Sequence, residues 1–217
     1  MAKAGTRGRR TGTAPGTATR RLLVEAAIET LRSEGFAGTS ARAIAAQAGC
    51  NQALVFYHFG SVVALLLAAL DEVSARRLER YTTAARSITN PSELLSVAAE
   101  VFREDFDHGD VTVLVEMIAG VGATPGLGPE IARRIAPWRE FAQEAIRAGL
   151  GDSPLASLLA PDEASYAVVA FYLGLELLSH LDGDRTRATA LFEQAGRLAA
   201  LLGALSSPTA VTTKETP

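Results

Sequence analysis

The stretch GFAGTSARAIAAQAGCNQALVFYHFGS, residues 35–61, decides the reading of this chain. Thr39-Ser40 offers N-cap chemistry ahead of Ala41 to Ala48, where Ile44, Ala45 and Ala48 fall on one side of a helix and Gly49 supplies the stop. A following segment from Asn51 or Gln52 to Phe59 places Leu54, Val55 and Phe59 at helical spacing. Two short helices joined through a glycine, with an apolar clamp of Ile44, Ala45, Val55 and Phe59, have the form of a helix-turn-helix. The small Ala45 lets the second helix cross closely, and Gly49 permits a reversal that larger residues would strain. That second helix then projects Asn51, Gln52, Leu54, Tyr57 and His58 outward. Hydrogen-bonding groups beside an apolar contact the size of a thymine methyl are what reading the major groove requires.

Working outward, Leu23, Ala26, Ala27, Thr30 and Leu31 recur at helical spacing upstream of Gly35. Met1 to Ala18 is rich in Gly, Thr and Arg and too polar to offset the entropy of ordering, so it reads as a disordered basic arm carrying Lys3, Arg7, Arg9 and Arg10. Downstream, a fourth helix opens at Gly60-Ser61 and runs toward Arg80. Pro91 reads as the first residue of a helix to about His108, followed by Val111 to Val121. Glu130 to Leu150 is helical, with Pro137 either kinking it or starting its second part. Two long helices, near Pro161 to Leu181 and Asp184 to Leu205, precede a frayed polar tail, 206–217. Alternating β patterning is absent, so the fold class is all-α.

The block resembles the DNA-binding domain of the TetR family of bacterial transcriptional regulators. The elements that carry the resemblance are Ala26-Ala27, Gly35-Phe36, Thr39-Ser40, Ile44-Ala45, Ala48-Gly49 and Phe56-Tyr57-His58-Phe59, within residues 20–67. It implies a helix-turn-helix domain over 19–62 and a larger helical ligand-binding and dimerisation domain over 63–205. It further implies that Ser40 caps the second helix against a phosphate, that Arg42 reaches DNA, and that Gln52, Ala53, Leu54, Phe56, Tyr57 and His58 occupy DNA-facing positions. Two departures stand out. Phe56 replaces the usual tyrosine, and Val62 replaces a common backbone-gripping lysine, a loss that the basic arm would offset. The function so implied is a homodimeric regulator of a double-stranded operator, in the sense of a repressor released by a small-molecule effector. The alternatives are an activator of the same fold or a helical-bundle enzyme.

Charge distribution agrees with a polyanion-facing first segment. Residues 1–62 hold eight Lys/Arg against three acids, whereas the remainder of this 217-residue chain of net charge −3 is acidic. The single cysteine, Cys50, cannot form an internal disulfide, and His58, His108 and His180 lack ligand spacing, so no metal or other cofactor is expected. No nucleophile elbow or paired-carboxylate site stands out, so no catalytic residue is assigned. The longest uninterrupted apolar run, Val62 to Leu70, is too short for a membrane span, and a cytoplasmic location is the expectation. In the C-terminal body Thr112, Glu116 and Gly120 form a polar-and-small stripe that either lines a ligand cavity or faces water. Tyr172, Glu176 and His180 form a second stripe, a pocket wall, an intersubunit contact or a solvated face. Trp138 is either core or pocket wall. The small Ala170 and Gly174 would admit a close helix approach at a dimer interface.

Overall fold

Gly35 has φ 69° and ψ 178°, a combination open essentially only to glycine, and it breaks the first helical run where the sequence signals a stop. The computed structural model describes residues 15–151 and 160–206, and every α or 3-10 element there is helical, without strands. In chain order these are α1 (Pro15–Gly38), α2 (Ala41–Gln47), α3 (Ala53–Phe59), α4 (Val62–Ala85), α5 (Pro91–His108), α6 (Asp110–Ala119), α7 (Leu127–Leu150), α8 (Pro161–Asp182) and α9 (Thr186–Ser206). α1 begins at Pro15, earlier than the expected Thr19, because a proline fits a first helical turn where its missing N–H has no intrahelical role. Residues 15–18 are therefore helix and not part of the arm. α7 continues through Pro137, so neither a break nor a new start occurs there.

The chain divides into two compact units within α4, residues 1–69 and 70–217, because α4 runs unbroken past the boundary expected at residue 62. In the first unit Leu23, Ala27 and Leu31 from α1, Ile44 and Ala45 from α2, and Val55 from α3 are all buried. In the second unit α9 lies along α5 and α8 along α7. Asn90 caps α5 by accepting from the Glu93 N–H at 3.0 Å, and Glu93 Oε2 accepts from the Thr89 N–H at 2.7 Å, a reciprocal cap. Phe102, Leu175 and Ala188 form a buried cluster against which Tyr172 and Phe192 pack.

Beside this cluster lies a buried polar network. Arg77 of α4 donates two hydrogen bonds to Asp105 of α5, through Nε at 2.8 Å to Oδ1 and through Nη2 to Oδ2. The Tyr81 hydroxyl donates to Asp105 Oδ1 at 2.6 Å, and the Tyr172 hydroxyl of α8 donates to Oδ2. The Arg77 guanidinium also stacks on the Trp138 ring of α7, 4.5 Å from its centroid. Burial alone would lower the Arg77 pKa; the Asp105 charge and hydrogen bonds outweigh it and hold the guanidinium more firmly protonated than usual. Glu176, 1% exposed, adjoins the network. Burial pushes its carboxyl up to about 7, with the Asp105 charge adding to the rise and a Tyr172 hydrogen bond and Arg77 opposing it.

Among the described residues α8 is a single helix long and apolar enough to cross a membrane, by length and composition alone. Its exposed apolar side chains include Phe171, Leu178 and Leu181, and α9 exposes Leu191, Leu198 and Leu201.

Two predictions come from the network. Arg77→Met strands the Asp105 carboxylate and should destabilise the protein by ~3–5 kcal/mol in urea unfolding, whereas Arg77→Met with Asp105→Leu should recover part of that loss. Glu176 binds its proton more tightly folded than unfolded, so its contribution is fully present below pH 4.5 and is lost as pH rises through about 7. Over that window wild-type stability relative to Glu176→Gln should fall by at most ~1.4 kcal/mol per pH unit, read from parallel melts.

Candidate functional site

The first unit assembles its exposed helix from backbone upward. Ser40 has extended backbone, and its Oγ accepts from the Ala43 N–H at 3.1 Å, starting α2. Gly49, at φ 62°, turns the chain out of α2. Asn51 Oδ1 then accepts from the Ala53 N–H at 2.8 Å, so the side chain proposed from sequence to face DNA also closes the turn into α3. α2 packs against both α1 and α3. With Val55 fully buried, the α3 register leaves Gln52, Ala53, Phe56 and Tyr57 exposed, Tyr57 to 82%. Arg42 is likewise exposed on α2. Leu54 and His58 are half-buried, and the His58 ring meets that of Tyr57 edge-on at 4.9 Å.

Arg20 was not singled out in the sequence. Its Nη1 donates to the His58 carbonyl at 3.0 Å, and its guanidinium stacks on Phe59, 4.2 Å from the ring centroid. It thereby fastens the last turn of α3 to α1. The signal was its position one helical turn before Leu23 on the stripe that continues to Ala27, where a long cation can lie along apolar surface. Val62, at the first position of α4, is half-buried. Arg7, Arg9 and Arg10 lie outside the described residues.

The second unit contains a cavity of about 370 Å³ among α4, α5, α6, α7, α8 and α9. Its lining is aliphatic and aromatic, including Leu94, Val101, Phe141 and Phe192, with polar groups only where Arg77, Trp138 and Tyr172 reach it. The Trp138 Nε1–H is already donated to Ser74 Oγ at 2.7 Å. Of the residues put forward as ligand contacts, Trp138 and Tyr172 line this cavity. Thr112 and Glu176 line a smaller one of about 170 Å³, together with His180. Glu116 is half-buried and lines neither. The Tyr172, Glu176 and His180 stripe is thus divided between the two cavities, and of the other stripe only Thr112 lines either. Ala170 is exposed on α8, and the Cα of Gly174 has open space where a Cβ would stand.

Residues 23–69 match the family model described as bacterial regulatory proteins, tetR family. No curated protein matches the chain in sequence. Among solved structures, the fatty acid degradation regulator FadR from Bacillus halodurans is similar with a TM-score of 0.70 at 15% identity, covering 90% of this chain and 99% of that one. FadR from Bacillus subtilis, solved in complex with stearoyl-CoA, gives 0.69 at 14% identity, with 82% and 96% covered. A TetR transcription regulator from Haloarcula marismortui gives 0.66 at 17%, with 87% and 98% covered. At these identities the structures share a fold, and the family model supplies the sequence link through the helix-turn-helix. Residues 23–69 thus carry the sequence signature of the tetR family of bacterial regulatory proteins, and the chain shares its fold with solved regulators of that type.

Proposed function

We propose that this DNA-binding regulator acts as a repressor, holding a palindromic operator as a homodimer and leaving it when a small apolar molecule enters the 370 Å³ cavity. The observation that carries the reading is the α2–α3 surface, where buried Ile44, Ala45 and Val55 turn Arg42, Gln52 and Tyr57 to the outside. A dimer presents two such surfaces, which must enter major grooves one helical turn apart, about 34–36 Å. An effector that binds better to a form with another separation lowers operator affinity by its difference in affinity for the two forms. Bound at a promoter, the protein would exclude polymerase. The basic arm would add phosphate contacts of the kind missing at Val62.

The cavity lining supports a ligand that is mostly hydrocarbon, with a polar end for Arg77 or Tyr172. Stearoyl-CoA, the ligand of the Bacillus subtilis FadR structure, is a molecule of that general character. The exposed apolar rows of α8 and α9 support the dimer: two such pairs form a four-helix interface, and Ala170 and Gly174 permit close approach.

Selection of bound duplexes from a random pool tests the reading, and an inverted repeat is the expected product. On that duplex Arg42→Ala and Gln52→Ala should each lower discrimination at particular base pairs by about 1–3 kcal/mol while non-specific binding changes less. Equal weakening on all sequences would make both residues backbone contacts. In sedimentation the wild-type chain should be dimeric at micromolar concentration, and Leu178→Glu with Leu181→Glu should give a folded monomer.

A further inference from the structure

The smaller cavity, about 170 Å³, lies where α5 and α8 end, and its lining includes both C-cap glycines, Gly109 and Gly183. Two helix C-termini bring the negative ends of their dipoles to one place. The N-terminus of α6 also starts there, but Asp110 in its first turn offsets that positive end. The titratable residues in the wall are Asp105, Glu176 and His180, and none of the lining residues is Lys or Arg. Thr112 and Ser179 add hydroxyl acceptors, while Phe106 and Val111 supply an apolar side.

Asp105 is already satisfied by Arg77, Tyr81 and Tyr172. Glu176 is not. It is 1% exposed, and its buried Oε1 has no hydrogen-bond partner. A buried carboxyl oxygen without a donor is costly, and a donor brought in from solution removes that cost. With the Arg77–Asp105 pair already neutral, ionising Glu176 leaves one uncompensated negative charge in the wall, which a monocation cancels.

We propose that this cavity is a second ligand site, for a small organic ammonium ion whose N–H groups pair with Glu176 and whose short alkyl part rests on Phe106 and Val111. It is distinct from the apolar cavity, and its test needs no operator. The two sites share a wall: Asp105 faces the ammonium site, while its partners Arg77 and Tyr172 line the larger cavity.

Glu176 passes from its protonated to its ionised form when the ammonium binds, so binding releases a proton near neutral pH. The charged or titratable groups facing it are Asp105 on α5, Arg77 on α4, and Tyr172 and His180 on α8; Arg185 near Phe106 is held by Asp107. Calorimetric titration of the full chain with propylammonium, at about pH 6.5 in two buffers of different ionisation enthalpy, tests the proposal. Saturable binding with a heat that changes between buffers in the sense of proton release is expected. Propanol should not saturate, and Glu176→Gln, checked for helicity by circular dichroism, should bind propylammonium at least about tenfold more weakly, the factor expected from losing one charge-assisted hydrogen bond. Equal binding of propanol and propylammonium by the wild type overturns the site whether or not the variant folds. So does an equal response to potassium chloride, or unchanged propylammonium affinity in a folded Glu176→Gln variant.

Discussion

A guanidinium and a carboxylate removed from water together form the constraint on which the second unit depends. Arg77 and Asp105 are tolerable inside only because each is met on several sides: Arg77 by two oxygens and the face of Trp138, Asp105 by Arg77 and two tyrosine hydroxyls. Those partners come from α4, α5, α7 and α8, so four helices must hold one relative arrangement for the charges to remain paired. Apolar packing of Phe102, Leu175 and Ala188 supplies burial without direction. The ion pair supplies direction, and it stands at the boundary of both cavities.

The first unit solves a different problem by simpler means. Its short helices have little surface for burial, and their order comes from fully buried aliphatic contacts, the Ser40 cap, the Asn51 turn and a cation laid on Phe59. The consequence is a rigid display: α3 is short, yet its buried Val55 fixes which side chains face outward. Polar and aromatic groups can therefore stand exposed without loosening the helix.

Legibility in the sequence follows the range of the interaction. Caps, glycine stops and apolar periodicity act within a few residues, so Ser40, Gly35, Pro91 and the helix-turn-helix were readable from neighbours alone. Arg20 was half-legible, since its partner is 38 residues away although its own helical face is plain. The pairing of Arg77 with Asp105, 28 residues apart, depends on how α4 and α5 cross, which no local pattern encodes. What the pattern does contain is a charge where α4 keeps Val73, Arg77 and Tyr81 in one buried row. Glu116 meets the same limit: a helical stripe states that residues share a face, not what that face meets.

Trp138 is the chain's single tryptophan, and it occupies the cavity wall with a cation on its face and its indole N–H committed to Ser74. Indole emission depends on nearby charge and polarity, and the whole tryptophan signal of the protein arises from this one environment. Displacing the guanidinium or filling the apolar space beside the ring changes that environment directly. The molecule thus contains its own optical gauge of the larger cavity, with no second indole to dilute it.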